Sequence, residues 1–219
     1  MTLRPVLRAR APLRVSFAGG GTDVAPFTER EGGAVLCATI GSYAYATLRP
    51  RTDGQVVVNP LRVRPDTVHE LEHNMLLAYT GRTRVSDHII QDQVSRYETG
   101  NADAIAGLRA QRDLADAMRV ALLRGRVDEI GHLLGQAWQE KQRMSSRITT
   151  PLIADAVESA LAHGALGGKV TGAGGGGHMI FICEFEKRHL VADELIRLGL
   201  AVSEFTFTKH GVTTWKGQQ

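Results

Sequence analysis

Residues 169–181 read Lys-Val-Thr-Gly-Ala-Gly-Gly-Gly-Gly-His-Met-Ile-Phe, and the rest of the chain is organised around this stretch. Five of its positions are glycine, the residue that loses the most backbone freedom on folding. A flexible linker would be rich in glycine and serine, whereas the apolar residues 178–183 follow directly here. The stretch therefore predicts a buried turn whose backbone N–H groups approach a phosphate or a nucleotide.

Two common phosphate-binding motifs do not fit this glycine run. Residues 172–177 match G-x-G-x-x-G, but a dinucleotide site needs a helix straight after the loop. Residues 179–183, Met-Ile-Phe-Ile-Cys, indicate a buried strand instead. Residues 164–169 are one position short of a Walker loop, and Val170 stands where Ser or Thr should hold magnesium.

Length and composition indicate an ordinary globular protein. The 219 residues suit one large domain or two small ones, and 43% are hydrophobic and 22% charged. No apolar run approaches the roughly 18 residues of a membrane span, and the first eight residues lack the apolar core of an export signal. We therefore expect a cytoplasmic protein without a membrane partner. Cys37 and Cys183 fall in apolar runs, which favours reduced, buried thiols.

Charge is distributed unevenly along the chain. The formal net charge is +3, but residues 1–64 carry nine Arg and four acidic residues. A basic N-terminal part suits an anionic ligand. An RNA-binding module would rest on the high isoelectric point alone, because neither a recognised motif nor interleaved aromatic residues accompany it. No nucleic-acid partner is expected.

A second glycine turn, Gly-Gly-Gly-Thr-Asp at residues 19–23, follows a strand predicted for residues 13–17. We expect Thr22 or Asp23 to cap a helix over residues 24–31, so that free N–H groups form an anion site. The Asp23 carboxylate would repel phosphate, and it suits a sugar hydroxyl or neutralises Arg14. A plain helix cap is the alternative interpretation.

The remaining periodicity predicts a mixed order of strands and helices. Strands are expected over residues 33–40, 43–51 and 55–59, with a turn at 52–54. Helices are expected over residues 85–97, 103–123, 128–143 and 149–163, and their apolar stripes are core positions. A strand over 178–185, a helix over 187–198 and strands over 202–208 and 212–215 complete the chain.

Together, residues 14–23 and 169–177 resemble the first and third motifs of the GHMP small-molecule kinases. With the regions around 138–141 and 148–151, the pattern looks most like the D-glycero-D-manno-heptose 7-phosphate kinase branch. The resemblance implies an α/β (α+β) fold of two halves. Residues 1–64 would be a truncated N-terminal half with the substrate motif, and residues 65–219 a ferredoxin-like C-terminal half with the glycine loop.

This resemblance also implies an activity and its site residues. The activity would be ATP-dependent, Mg²⁺-assisted phosphorylation of a sugar phosphate, D-glycero-D-manno-heptose 7-phosphate, to the 1,7-bisphosphate. The implied substrate-binding residues are Arg14, Ser16, Gly20, Gly21, Thr22 and Asp23. The implied nucleotide-binding residues are Thr171, Gly172, Ala173, Gly174, Gly175, Gly176 and Gly177. The pattern assigns no metal ligand, no catalytic base and no oligomeric state.

The sequence departs from these kinases in its middle. It contains no Pro-x-Gly-x-Gly-Leu-Gly-Ser-Ser-like loop, their main cradle for the ATP phosphates, and no segment that supplies their hydroxyl-activating Asp. Phosphoryl transfer depends on positioning and electrostatic clamping of the phosphates. We therefore expect little turnover by this chain, and a non-catalytic sugar-phosphate-binding protein is the alternative function.

Overall fold

The computed structural model describes residues 7–47, 61–81, 87–208, 211 and 213–216, and these form two sheets and seven helices. The strands are β1 (Leu7–Ala18), β2 (Leu36–Thr47), β3 (Met75–Tyr79), β4 (Ala165–Val170), β5 (His178–Cys183), β6 (Ala201–Ser203) and β7 (Thr213–Lys216). The helices are α1 (Phe27–Glu31), α2 (Pro65–Asn74), α3 (Asp87–Glu98), α4 (Ala102–Arg124), α5 (Val127–Met144), α6 (Pro151–Ala162) and α7 (Arg188–Arg197). The mixed α/β class is confirmed.

The larger sheet has the strand order β4-β5-β3-β6, and each neighbouring pair is antiparallel. Along the chain these strands follow a strand–helix–strand–strand–helix–strand sequence, with four helices in the first crossover. That order and direction are those of a ferredoxin-like unit. The ferredoxin-like C-terminal half predicted from the resemblance is therefore confirmed.

The smaller sheet has the order β2-β1-β7 and joins the two ends of the chain, because β7 pairs with the start of β1. The strands predicted over residues 33–40 and 43–51 form one continuous strand, β2, within the described residues. The division into segments 1–64 and 65–219 stays a prediction. The turn at 52–54 and the strand at 55–59 lie outside the described residues.

Alternating side chains of β3 and β5 fill two hydrophobic clusters, one on each face of the larger sheet. Leu76 and Phe181 pack with residues of α6 and α7, whereas Leu77 and Ile182 pack with residues of α4, α5 and β1. Successive side chains of a strand point to opposite faces, so a sheet covered on both sides needs continuous apolar strands. This explains the unbroken apolar run after the glycine loop.

Helix α5 lies unusually close to β4 because the contact is made by glycines. A Cβ placed on Gly167 would stand 2.7 Å from the Gly135 nitrogen and 3.1 Å from the Gly131 carbonyl carbon. Only a residue without a side chain allows the two backbones to approach this closely. The same two elements carry Lys141 and Lys169 into the region of the candidate site.

Helix boundaries were predicted well where capping residues mark them. Asn101 caps α4 by accepting a hydrogen bond from the Ala104 N–H at 3.0 Å, and Gly125 ends that helix with φ 74°. Thr150 caps α6, and Pro151 occupies its first position. These features match the expected start and stop signals.

Several expectations from the sequence are wrong. The helix after the first glycine turn begins only at Phe27. Neither Thr22 nor Asp23 caps it, because Asp23 bonds within the turn and Thr22 bonds to Gly19 and Ala34. The strand expected over residues 202–208 is limited to β6, and β3, β4 and α2 were not predicted. Cys37 is exposed, whereas Cys183 is buried as expected. Every helix in the described ranges is too short or too polar to span a lipid bilayer.

Candidate functional site

A cavity of about 210 Å³ lies where the end of β1, the first glycine turn, α3, the end of α5 and the glycine loop after β4 meet. Its lining combines residues from both sequence motifs although they are about 150 positions apart in the chain. The motif residues that line it are Arg14, Ser16, Gly20, Gly21, Asp23, Gly172 and Ala173. The structure therefore brings together five of the six predicted substrate residues and two of the seven predicted nucleotide residues.

Thr22, the sixth predicted substrate residue, faces away from the cavity and is fully buried. Its hydroxyl lies 2.7 Å from the Gly19 carbonyl oxygen and 3.0 Å from that of Ala34, and it accepts the Ala34 N–H at 3.1 Å. A buried hydroxyl with such partners closes the turn rather than contacting a ligand. Thr22 therefore shapes the first glycine turn.

The first glycine turn is also tied to the helices behind it. Gln111 of α4 is fully buried, accepts the Gly19 N–H at 3.2 Å and donates to the Ala137 carbonyl oxygen of α5. On the cavity side, the Asp23 carboxylate accepts the Gly21 N–H at 3.1 Å. The turn is thus fixed from behind while Asp23 and Arg14 remain at the cavity.

Lys169 of β4 is a buried lysine directly behind the first glycine turn. Its side chain is 0% exposed, and its ammonium group donates to the carbonyl oxygens of Ser16 at 3.2 Å and Phe17 at 3.1 Å. Burial, together with the nearby charge of Lys141, holds the pKa of Lys169 well below its usual value. Lys169 connects β4 with the end of β1.

Lys141, near the C-terminal end of α5, lines the cavity itself. It is only 2% exposed, and its ammonium group donates to the carbonyl oxygen of Gly172 in the glycine loop. Burial lowers the pKa of Lys141 to about 8, and the Asp23 carboxylate acts in the opposite direction. This side chain therefore links the third motif with the carboxylate of the first.

The sequence interpretation missed both lysines, although each breaks the pattern of its element. Lys141 continues the apolar stripe of α5 four positions after Ala137, where a surface lysine is not expected. Lys169 stands inside a strand buried at every position except Leu166. Lysine is almost never fully buried without a reason. A charged residue on a buried stripe was the available signal.

Only some of the backbone N–H groups in the third-motif loop, residues 171–177, donate hydrogen bonds within the protein. The Thr171 N–H donates to the His178 carbonyl oxygen at 2.8 Å, and the Gly175 N–H donates to the Ile148 carbonyl oxygen at 2.6 Å. The Gly177 N–H donates to the Thr80 hydroxyl at 3.0 Å. In the described part of the chain, the N–H groups of Gly172, Ala173 and Gly176 have no acceptor. Residues 174–177 have φ between 74° and 151°, which only glycine adopts readily. Unpaired N–H groups in such a turn suit an anion.

The electrostatics of the cavity favour an anionic ligand. Arg14 and Lys141 line it, Lys169 lies behind its wall, and Asp23 is the carboxylate among the lining residues. Within the described ranges, no group of three or more His, Cys, Asp or Glu could hold a metal ion. Mg²⁺ in phosphoryl-transfer sites is bound by one or two carboxylates together with the phosphates. A Mg²⁺ ion at this cavity would therefore have to be held mainly by the phosphates of its ligand.

Comparison with known proteins gives this site a family context. Residues 118–199 match the family described as GHMP kinases C terminal. The chain is 30% identical over 162 residues to D-glycero-alpha-D-manno-heptose 7-phosphate kinase of Campylobacter jejuni. The aligned region covers 74% of this chain and 47% of the relative. It is 28% identical over 127 residues to the bifunctional fucokinase/GDP-fucose pyrophosphorylase of Arabidopsis thaliana, covering 58% of this chain and 12% of the relative.

A solved structure shows the same fold along nearly the whole chain. The D-glycero-D-manno-heptose 1-phosphate kinase of Bacteroides thetaiotaomicron superposes with a TM-score of 0.68 at 20% identity, covering 98% of this chain and 100% of that one. The chain spans about half the length of the curated heptose kinase, 47%, and less of the fucokinase. Residues 118–199 are a GHMP kinase C-terminal domain, and the chain is similar to GHMP sugar kinases, among them the heptose 7-phosphate kinase of Campylobacter jejuni.

Proposed function

We propose that the cavity between the two glycine-rich motifs is the acceptor site of an ATP-dependent sugar-phosphate kinase. The proposed acceptor is D-glycero-D-manno-heptose 7-phosphate, and the product is the 1,7-bisphosphate. The observation that carries this proposal is the convergence of Arg14, Asp23, Lys141 and Gly172 on one cavity. The similarity to heptose phosphate kinases supports the choice of sugar.

Four of the lining residues have roles that follow from their chemistry. Arg14 offers a planar set of donors that matches a phosphate group. The Asp23 carboxylate accepts hydrogen bonds from sugar hydroxyls, and the unpaired N–H groups of Gly172 and Ala173 contact phosphate oxygens. Bound Mg²⁺–ATP would supply the transferred phosphoryl group.

The size of the cavity supports a compact ligand. About 210 Å³ is below the roughly 300–1,000 Å³ of typical small-molecule pockets. A cavity of this size suits a sugar phosphate better than a sugar phosphate and a nucleotide together. The nucleotide would therefore contact the outer part of the glycine loop.

A non-catalytic sugar-phosphate-binding protein is the second candidate function. The observation that favours it is the lack of the Pro-x-Gly-x-Gly-Leu-Gly-Ser-Ser-like loop in the sequence. The third loop alone contributes donors worth about 3–4 kcal/mol each at best, whereas kinase catalysis also needs in-line alignment and a metal clamp. Under this candidate function the sugar phosphate binds and no phosphoryl transfer follows.

Calorimetric titration and a phosphoryl-transfer assay on the same protein test both candidates. We expect measurable affinity for D-glycero-D-manno-heptose 7-phosphate, weaker affinity for ATP with Mg²⁺, and little or no transfer by the 219-residue chain. Insertion of the middle segment of a full-length relative should restore transfer. Arg14→Gln should weaken sugar-phosphate binding, whereas the matched control Arg119→Gln, on the exposed side of α4, should not.

One outcome would contradict the proposed acceptor, and another would exclude the binding-only function. Micromolar affinity for ATP without measurable affinity for the heptose phosphate would reverse the expected order of the two ligands. Robust turnover by the unmodified chain would exclude the binding-only function, and its loss in Asp23→Asn at saturating sugar phosphate would assign Asp23 a role in the chemical step.

A further inference from the structure

Lys141 is a buried cation whose donors are only partly used. An ammonium group has three N–H donors. In the described ranges, Lys141 donates to one acceptor, the carbonyl oxygen of Gly172. The side chain is 2% exposed and lines the cavity, so the ammonium group lies at the cavity wall, where a ligand could accept its unused donors. Such unpaired donors on a buried charged group are costly, which implies a partner that the protein itself does not supply.

The position of the Lys141 ammonium group shows which other groups a bound partner would contact. A Cβ on Gly20 would stand 3.7 Å from the Lys141 nitrogen and 3.6 Å from the Ser16 hydroxyl oxygen. The ammonium group therefore sits between the first glycine turn and the loop that begins at Gly172. An oxyanion at this point would reach donors from both motifs at once.

We propose that Lys141 binds a phosphate oxyanion in the cavity through its unused donors and thereby selects phosphorylated over unphosphorylated sugars. This inference rests on the proposed function, because it assigns the specificity of the same cavity. The oxyanion could come from the phosphate of the sugar or from the terminal phosphate of ATP, and the two sources are separated by experiment. Lys169 lies behind the turn and positions it, without contacting the ligand.

Protonation of Lys141 gives this assignment a distinctive signature. Its pKa is lowered to about 8 in the free protein, and a bound dianion stabilises the charged form. Phosphate monoesters are dianions above about pH 7, so the ligand does not titrate between pH 7 and 9.5. Asp23 and Arg14 line the same cavity, and Lys169 faces Lys141 from β4.

The expected pH effect can be worked out from this pKa. At pH 7 most molecules carry a charged Lys141, whereas at pH 9.5 only about 3% do. Binding of a dianion at pH 9.5 must therefore take up a proton, and the affinity should be about 30-fold weaker than at pH 7. The arginine in Lys141→Arg stays charged in this range, so that variant should lose most of the pH dependence.

The test is calorimetric titration of the full chain with four probes: heptose 7-phosphate, the unphosphorylated heptose, inorganic phosphate and ATP with Mg²⁺. Lys141→Met should weaken heptose 7-phosphate binding roughly 10- to 100-fold at pH 7, the usual effect of losing a hydrogen bond from a charged group. Binding of the unphosphorylated sugar should not change. Lys187→Met is the matched control, because Lys187 lies at the start of α7 and pairs with Glu184 at 2.8 Å.

The outcomes separate this inference from the proposed function. Unchanged heptose 7-phosphate affinity in Lys141→Met would overturn the inference and leave the proposed function intact. Lys141-dependent binding of inorganic phosphate or ATP, without heptose 7-phosphate binding, would support the oxyanion contact but overturn both the sugar selectivity and the proposed acceptor. If Lys141→Met does not fold, Lys141→Gln, which keeps a polar side chain, is titrated in its place, and unchanged heptose 7-phosphate affinity in that variant overturns the inference.

Discussion

Replacing Gly167 by alanine should push α5 away from β4 and destabilise the protein, whereas the same change at Gly135 should stabilise it. The two glycines face each other across one contact, but their surroundings differ. A Cβ on Gly167 would lie 2.7 Å from the Gly135 nitrogen, and closer still to the Gly131 carbonyl oxygen. A Cβ on Gly135 would lie 3.6 Å from the Gly167 Cα atom, which is ordinary van der Waals contact.

These distances give opposite signs and different magnitudes. Overpacking a dense core by one carbon costs typically 1–3 kcal/mol, and here the clashing atoms belong to the backbone and cannot rotate aside. We therefore expect Gly167→Ala to lose about 3 kcal/mol of unfolding free energy. In the helix interior at residue 135, alanine replaces glycine without a clash and should gain about 0.5–1 kcal/mol.

Urea unfolding followed by far-ultraviolet circular dichroism measures both changes, with the slope of the transition as a check on cooperativity. Gly167→Ala should also weaken heptose 7-phosphate binding, because β4 and α5 position Lys169 and Lys141. A loss below about 1 kcal/mol in Gly167→Ala, or equal effects of the two alanines, would refute the close approach of α5 and β4.

Three further substitutions test the first glycine turn and its support. Thr22→Val should lower the free energy of unfolding in urea by about 1–3 kcal/mol, because it leaves buried backbone groups unpaired. An unchanged urea midpoint would contradict the role of the Thr22 hydroxyl in closing the turn. The hydrogen bond from Arg109 holds the pKa of the Glu31 carboxyl below 4.5, so Glu31→Gln should lower the melting temperature slightly at pH 7. The difference in melting temperature from the unmodified protein should vanish as the pH falls below 4.5 through the pKa of Glu31 in the folded protein. A difference that stays constant with pH would show that the Glu31 charge is not what stabilises the fold. Asp23→Asn should weaken heptose 7-phosphate binding about 2- to 10-fold in calorimetry without weakening inorganic phosphate binding, and a loss of phosphate affinity would argue against a hydroxyl-binding role.

Much of the fold could be predicted from the sequence because local signals are strong there. Helices α4 and α6 begin directly after the cap residues Asn101 and Thr150, and their apolar stripes mark the buried face. The run after the glycine loop is unbroken because β5 is covered on both faces. The meeting of both motifs at one cavity agrees with the family resemblance, since neither motif alone indicates its partner.

The parts that were missed depend on long-range contacts. Strand β4 contains Gly167 and Gly168, which weaken a strand pattern. The close approach of α5 explains Gly167, and the Phe181 ring of β5 occupies the space beside Gly168. The helix after the first turn starts late because Thr22 bonds to Ala34, twelve positions away, instead of capping. Lys141 and Lys169 belong to apolar patterns whose meaning depends on which loops pack above them.

A crystal structure of the chain with D-glycero-D-manno-heptose 7-phosphate tests the central claim most directly. We expect the sugar phosphate in the cavity between residues 14–23 and the loop at 171–177, with its phosphate within hydrogen-bond distance of Arg14 or Lys141. Hydroxyl contacts to the Asp23 carboxylate should accompany it. A ligand bound elsewhere, with this cavity empty at saturating concentration, would contradict the assignment of the site.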